Sequence, residues 1–254
     1  LLGVLNQEYD RQYKNEESAT MPLAGGIMQY GYQCGMIWGA ALAAGAQAYR
    51  LYGPGPKAEC KTILASQKLV DAFRAQNKNI NCMEITEIDK SSTGMELFIY
   101  FLVKGGSIGC FRRAAKYAPV AFEEINSSFS KELIEIPDEP VSCVALMARK
   151  MGLSDQHRTM VAGLAGGIGL CGGACGALGA AIWILSMKIA KAEDVVVNFD
   201  DPRANTLIEK FMQCTDYEFE CSKIVGRKFE NVAEHAQYIQ NGGCSKIIER
   251  LAIE

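Results

Sequence analysis

The chain carries one cysteine-bearing pattern twice, and no fold that ignores this repetition is acceptable. Residues 23–26 read Leu-Ala-Gly-Gly, and residues 164–167 read the same. Each copy then reaches a Cys-Gly pair in a run of small residues, Cys34-Gly35 and Cys175-Gly176. An apolar stretch follows, ending at Phe73 or Phe211, and then a second cysteine, Cys82 or Cys221. Each copy closes on a glycine pair and a third cysteine, Gly105-Gly106…Cys110 and Gly242-Gly243-Cys244. A duplicated unit with its cysteines in register implies two similar halves built around those thiols.

Composition narrows the function. The 254 residues carry a net charge of -3, so no nucleic-acid surface is expected. Ten cysteines in a chain of this size, widely spaced, do not resemble the stapled loops of a small secreted domain. A reducing compartment, with cysteines used for metal or redox chemistry, is the better reading, and a cytoplasmic location follows from it. Residues 21–49 and 159–187 hold no charged side chain and are long enough to span a bilayer. Their Gly, Ala and Cys content reads instead as a loop and a central helix buried in protein. Attachment to the membrane periphery through a complex stays open.

Most segments have helical rather than alternating periodicity, so the expected class is all-α. Central helices are predicted over residues 36–51 and 175–192. The first stops before the breaker cluster Gly53-Pro54-Gly55-Pro56. Further helices are expected over 1–13, 58–75, 108–126, 231–240 and 245–253, with 78–93 less regular and 96–103 either strand or helix. Asp201-Pro202 supplies an N-cap and a proline for the first helical position. Residues 1–128 form the first copy and 141–254 the second. A linker of about 129–140 carries Pro137 and Pro140.

The second copy resembles the family of redox-active proteins named for the pattern C…GCAxxG…C…C. The likeness runs from Cys143 in Ser142-Cys143-Val144-Ala145, through Ala165-Gly166-Gly167 and Cys175-Gly176-Ala177, to Cys221 and Cys244. The first copy is a divergent version that keeps Cys34, Cys82 and Cys110 but has Leu2 opposite Cys143. The resemblance implies redox activity and metal binding and leaves the substrate unassigned.

Four thiolates from distant segments can hold an iron–sulfur cluster, a zinc ion, or two disulfides. No C-x-x-C knuckle of the zinc-site kind occurs. Cys34 and Cys175 sit at helix starts, where free backbone N–H groups stabilise thiolate and cluster sulfur alike. An iron–sulfur cluster, [4Fe–4S] favoured, ranks ahead of dithiol chemistry and of zinc. Its expected ligands are Cys143, Cys175, Cys221 and Cys244, and Cys34, Cys82 and Cys110 are further cofactor-binding candidates. Cys60 is a weaker substitute for the missing first-half ligand. Cys171 and Cys214 read as small buried hydrophobes. His157 reads as solvated, and a ligand or relay role for His235 is a minor alternative. Tyr30, Tyr32 and Trp38 read as core. Gly167-Ile168-Gly169-Leu170-Cys171-Gly172 matches a dinucleotide fingerprint but lacks the strand that motif needs.

The leading reading is an electron-transfer protein that meets a redox partner protein. A thiol–disulfide oxidoreductase and a non-catalytic subunit of a larger redox complex are the rivals. Self-association is also left open.

Overall fold

A computed structural model describes residues 1–132, 135–193 and 197–252. The first half runs through α1 (Leu2–Glu8), α2 (Lys14–Ser18), a 3₁₀ turn (Met21–Leu23), α3 (Gly35–Tyr52), α4 (Pro56–Asn77) and α5 (Cys82–Thr86). It continues with α6 (Gly94–Phe98), a π-helical turn (Ile99–Val103) and α7 (Gly106–Ser130). The second half comprises α8 (Cys143–Lys150), α9 (Asp155–Ala162), α10 (Gly176–Glu193), α11 (Pro202–Cys214), α12 (Cys221–Val225), α13 (Val232–Gln240) and α14 (Ser245–Ala252). No strand occurs among the described residues, so the chain is all-α as expected.

The boundaries differ from expectation in instructive places. The first helix ends at Glu8, because Asp10 takes a positive φ of 54°. Helix α7 continues to Ser130 and consumes the start of the expected linker. Residues 96–103 are helical, begun by a capping box in which Thr93 and Glu96 satisfy each other's backbone N–H groups. Asp201 caps α11 as anticipated, accepting from the Arg203 N–H. Ile253, placed in the last expected helix, lies outside the described residues.

Both central helices are buried along nearly their whole length. Their glycines and alanines let neighbours approach closely: a Cβ added at Gly45 would lie 2.4 Å from the Met160 Cα. No single described helix is long and apolar enough to cross a membrane.

The halves have the same internal packing. Helix α3 contacts α1, α4 and, more lightly, α7; α10 contacts α8, α11 and α14 in the same way. They also interlock: α9 of the second half packs on α3, and α2 of the first half packs on α10. A constant offset of 141 residues relates the matched positions here. Three matched pairs touch each other directly, one of them through Gln33 Oε1, which accepts from the Ala174 N–H at 2.9 Å. Glu16 accepts or shares a proton with His157 at 2.8 Å, and the Trp38 ring lies against Gly179, where a Cβ would come within 2.2 Å of it. His157 is therefore not solvated, as its polar neighbours suggested. Its ring is also edge-on to Trp183.

Candidate cysteine sites

In each half a left-handed turn leads into the central helix. Five consecutive residues, Gly25, Gly26, Ile27, Met28 and Gln29, have φ between 46° and 75°. Gly166, Gly167, Ile168, Gly169 and Leu170 repeat this with φ between 57° and 75°. Left-handed backbone costs a non-glycine residue roughly 1–2 kcal/mol. The turn persists because its N–H groups are bonded, Met28 to the Pro22 carbonyl (2.7 Å) and Gly169 to the Gly163 carbonyl (2.9 Å). The apparent dinucleotide fingerprint is this turn, with no strand before it.

The turn delivers the chain to a short antiparallel bridge that fixes two cysteines. In the second half the Cys175 N–H donates to the Phe219 carbonyl and the Cys221 N–H to the Gly173 carbonyl, both at 2.7 Å. In the first half Cys34 donates to Ile80 (2.8 Å) and Cys82 to Tyr32 (2.7 Å). The sequence repeat is thus a repeat of hydrogen bonds. Cys143 opens α8, and Leu2 opens α1, so the leucine does stand where the fourth cysteine would.

The second half brings all four expected cysteines together. Cys143, Cys175 and Cys221 are buried, and Cys244 is half-buried. Burial pushes the Cys143 thiol well up, and the neighbouring Cys244, Cys221 and Cys175 push it further. Cys221 is raised by burial and by Cys175 and Cys244, and Cys244 is pushed up to about 12 by burial and Cys175. Opposing this, backbone N–H groups of Leu178 and Ala177 point at Cys175, that of Gly166 at Cys143, and the Tyr238 hydroxyl at Cys244.

The first half gathers Cys34, Cys82 and Cys110. Burial pushes Cys34 up to about 12, with Cys82 and Cys110 adding to it; one backbone N–H, of Met36, and the Arg113 guanidinium oppose. Arg113 lies 4.0 Å from the Cys110 sulfur, and the Tyr100 hydroxyl 3.7 Å. Cys110 is not the backbone counterpart of Cys244. Cys244 follows its glycine pair directly with a φ of 60°, whereas Cys110 sits one turn into α7. Tyr100 and Tyr238 do match, each packed on the second glycine of its pair, Gly106 or Gly243. These tyrosines and Arg113 escaped the sequence reading. A tyrosine a few residues ahead of each glycine pair was the available signal.

Of the remaining candidates, Cys171 and Cys214 border the second-half cluster, and Cys60 lies apart from both. The charged neighbour of Cys60 is Glu59 rather than another cysteine. The Cys171 thiol donates to the Ile168 carbonyl at 2.6 Å, close enough to Cys221 to raise it. Cys214 lies close enough to Cys175 to raise it, with Lys246 and Arg250 also nearby. His235 is buried against Phe229 with Nδ1 2.9 Å from the Val141 carbonyl. Burial lowers its pKa to about 4, so it serves as a neutral core group. Tyr30 and Tyr32 both pack on Phe219, joining the halves.

The model of the family described as "Putative redox-active protein (C_GCAxxG_C_C)" matches residues 1–104 and 141–253. The chain belongs to this family. Two matches in one C_GCAxxG_C_C chain correspond to the two halves, and Cys110 lies beyond the first of them. No curated protein and no solved structure matches the chain.

Every described cysteine is a free thiol. Among the described residues no group of three or more His, Cys, Asp or Glu closes to the spacing of a single metal ion. A lone zinc draws its sulfurs to about 2.3 Å from one point.

Proposed function

We propose that the protein is redox-active through an iron–sulfur cluster held in its second half by Cys143, Cys175, Cys221 and Cys244, and that it transfers electrons to a partner protein. One observation carries this reading: four thiols are grouped there, their pKa values raised by burial and by each other. Such a set is poor dithiol catalyst material, since attack needs a thiolate at ambient pH. It suits a cationic iron centre, which draws the protons off and replaces mutual repulsion with bonds. An iron–sulfur centre places its own irons and sulfides between cysteine sulfurs drawn from distant segments. The N–H groups of Gly166, Ala177 and Leu178 and the Tyr238 hydroxyl would then donate to ligand sulfur and raise the potential. Ten widely spaced cysteines, unlike the stapled loops of a small secreted domain, favour a reducing compartment.

The first half lacks the fourth thiol and carries Arg113 instead, so in this reading it holds no equivalent cluster. The test is iron, acid-labile sulfide and the visible spectrum of anaerobically purified protein. Equal iron and sulfide with a broad visible band are expected, and the iron count separates [2Fe–2S] from [4Fe–4S]. Protein without either, after strictly anaerobic handling, would overturn the proposal in favour of thiol chemistry.

A further inference from the structure

The matched segments before the third cysteines have opposite surroundings. In the second half, α13 buries Val232, His235, Ala236 and Ile239. In the first half, α6 and the π-helical turn bury no residue. This arm is nevertheless strongly apolar. Leu102 and Val103 are each 70% exposed and Phe111 is 76% exposed, with Phe98, Phe101 and Ile108 beside them in the chain. A contiguous apolar projection of this kind on a folded chain signals a partner surface.

We propose that this arm, residues 94–111, seats the protein in the interfacial layer of an anionic lipid membrane. Three features select lipid over a protein groove. First, α6 with the π-helical turn and α7 together have the length and hydropathy of a membrane span, yet they bend by 59° at the glycine pair, so they can lie in the interface without crossing. Second, basic side chains accompany the apolar ones, Lys104 within the arm and Arg112 and Lys116 just after it, and these suit acidic headgroups. The acidic groups along the arm and beside it are Glu96, which is used in the capping box, Asp89, which accepts from Ser91 and acts on Glu96, and Glu87, which is paired with Lys104 at 3.0 Å. Third, the apolar side chains project from two short helical turns and from the first turns of α7 on either side of a bend, which suits insertion better than capture of a helix. The arm carries Tyr100 against Cys110, so seating it brings the first-half thiols to the membrane surface.

The test is flotation of the purified full chain with phosphatidylcholine vesicles and with mixed phosphatidylcholine–phosphatidylglycerol vesicles, and it reads independently of iron content. Binding to the mixed vesicles is expected, with about tenfold weaker binding to phosphatidylcholine alone. Leu102→Asp and Phe111→Asp should each reduce binding by about tenfold, and Arg112→Glu with Lys116→Glu should abolish the preference for anionic lipid. All these positions are exposed, and an unchanged helical circular dichroism spectrum confirms that the variants fold. Chain that stays unbound with both vesicles overturns the proposal. So does binding unaffected by Leu102→Asp, or a dimer that this substitution splits while vesicles are ignored.

Discussion

At Cys175 two backbone N–H groups point at the sulfur, and the cysteine site around it holds four thiols. At Cys34 a single N–H does, and the site holds three thiols and a guanidinium. The backbones that carry these sulfurs are nearly the same, from left-handed turn to bridge to helix. The comparison teaches that the duplicated element is a scaffold, and that the chemistry lies in the few side chains that close it. Leu2 in place of a cysteine and Arg113 beside Cys110 suffice to give one scaffold two different sites.

The sharpest way to break the equivalence is in the scaffold itself. A Cβ at Gly176 would lie 1.7 Å from the Leu164 carbonyl oxygen, whereas at the matched Gly35 the nearest atom is 3.1 Å away. Gly176→Ala should cost about 4 kcal/mol or prevent folding. Gly35→Ala, a tight fit in a helix that favours alanine, should stay within about 1 kcal/mol of the parent. Urea denaturation measures both, and equal losses would show that the two approaches are not as different as their geometry.

The ligand sets come next. Cys175→Ser should remove most of the iron and bleach the visible band, while Cys34→Ser should leave both. Leu2→Cys restores the missing position in the first half and should raise iron and sulfide per chain toward double. A parent already at that level would show that the first half is loaded without it.

A smaller effect separates the halves by pH. The Glu59 carboxyl on α4 is buried, with the Ser142 N–H as its donor, and its pKa rises to about 7 from 4.5. The folded chain keeps this proton where the unfolded chain releases it, so stability falls as pH rises from about 4.5 to 7. His235 acts in the opposite sense. Unfolded chain takes up its proton near 6.5 and folded chain only near 4, so stability is complete above 6.5 and falls as pH drops toward 4. The two effects oppose each other between about 4.5 and 6.5, so Glu59→Gln should make melting temperature rise more steeply with pH there, and His235→Asn should make it fall.

The smallest expected effect is at Glu16 and His157. Replacing either with Gln should cost about 1 kcal/mol, and the double variant less than the sum, because each single change strands the other in a half-buried site.

The all-α class and both central helices were legible because small residues, glycine breakers and caps act locally. The second-half cysteines were legible because their order in the chain survives folding. Three features were not. The exposure of α6 depends on what fails to pack against it, and an apolar helix reads alike whether it is buried or bare. Cys110 seemed matched to Cys244 because both follow a glycine pair, yet one turn of α7 intervenes. His157 looked solvated because its partner, Glu16, is remote in sequence and comes from the other half.

The meeting of matched positions at the centre of the molecule has a consequence for evolution. Two identical subunits placed in this arrangement would set tryptophan against tryptophan at one contact, and glutamate against glutamate, or histidine against histidine, at another. Joining the copies in one chain removes that constraint. Trp38 can fill the space Gly179 vacates, and Glu16 can face an imidazole, because a mutation in a fused chain occurs once rather than twice. The same release from symmetry lets one copy keep its four cysteines while the other gives one up and gains an apolar arm.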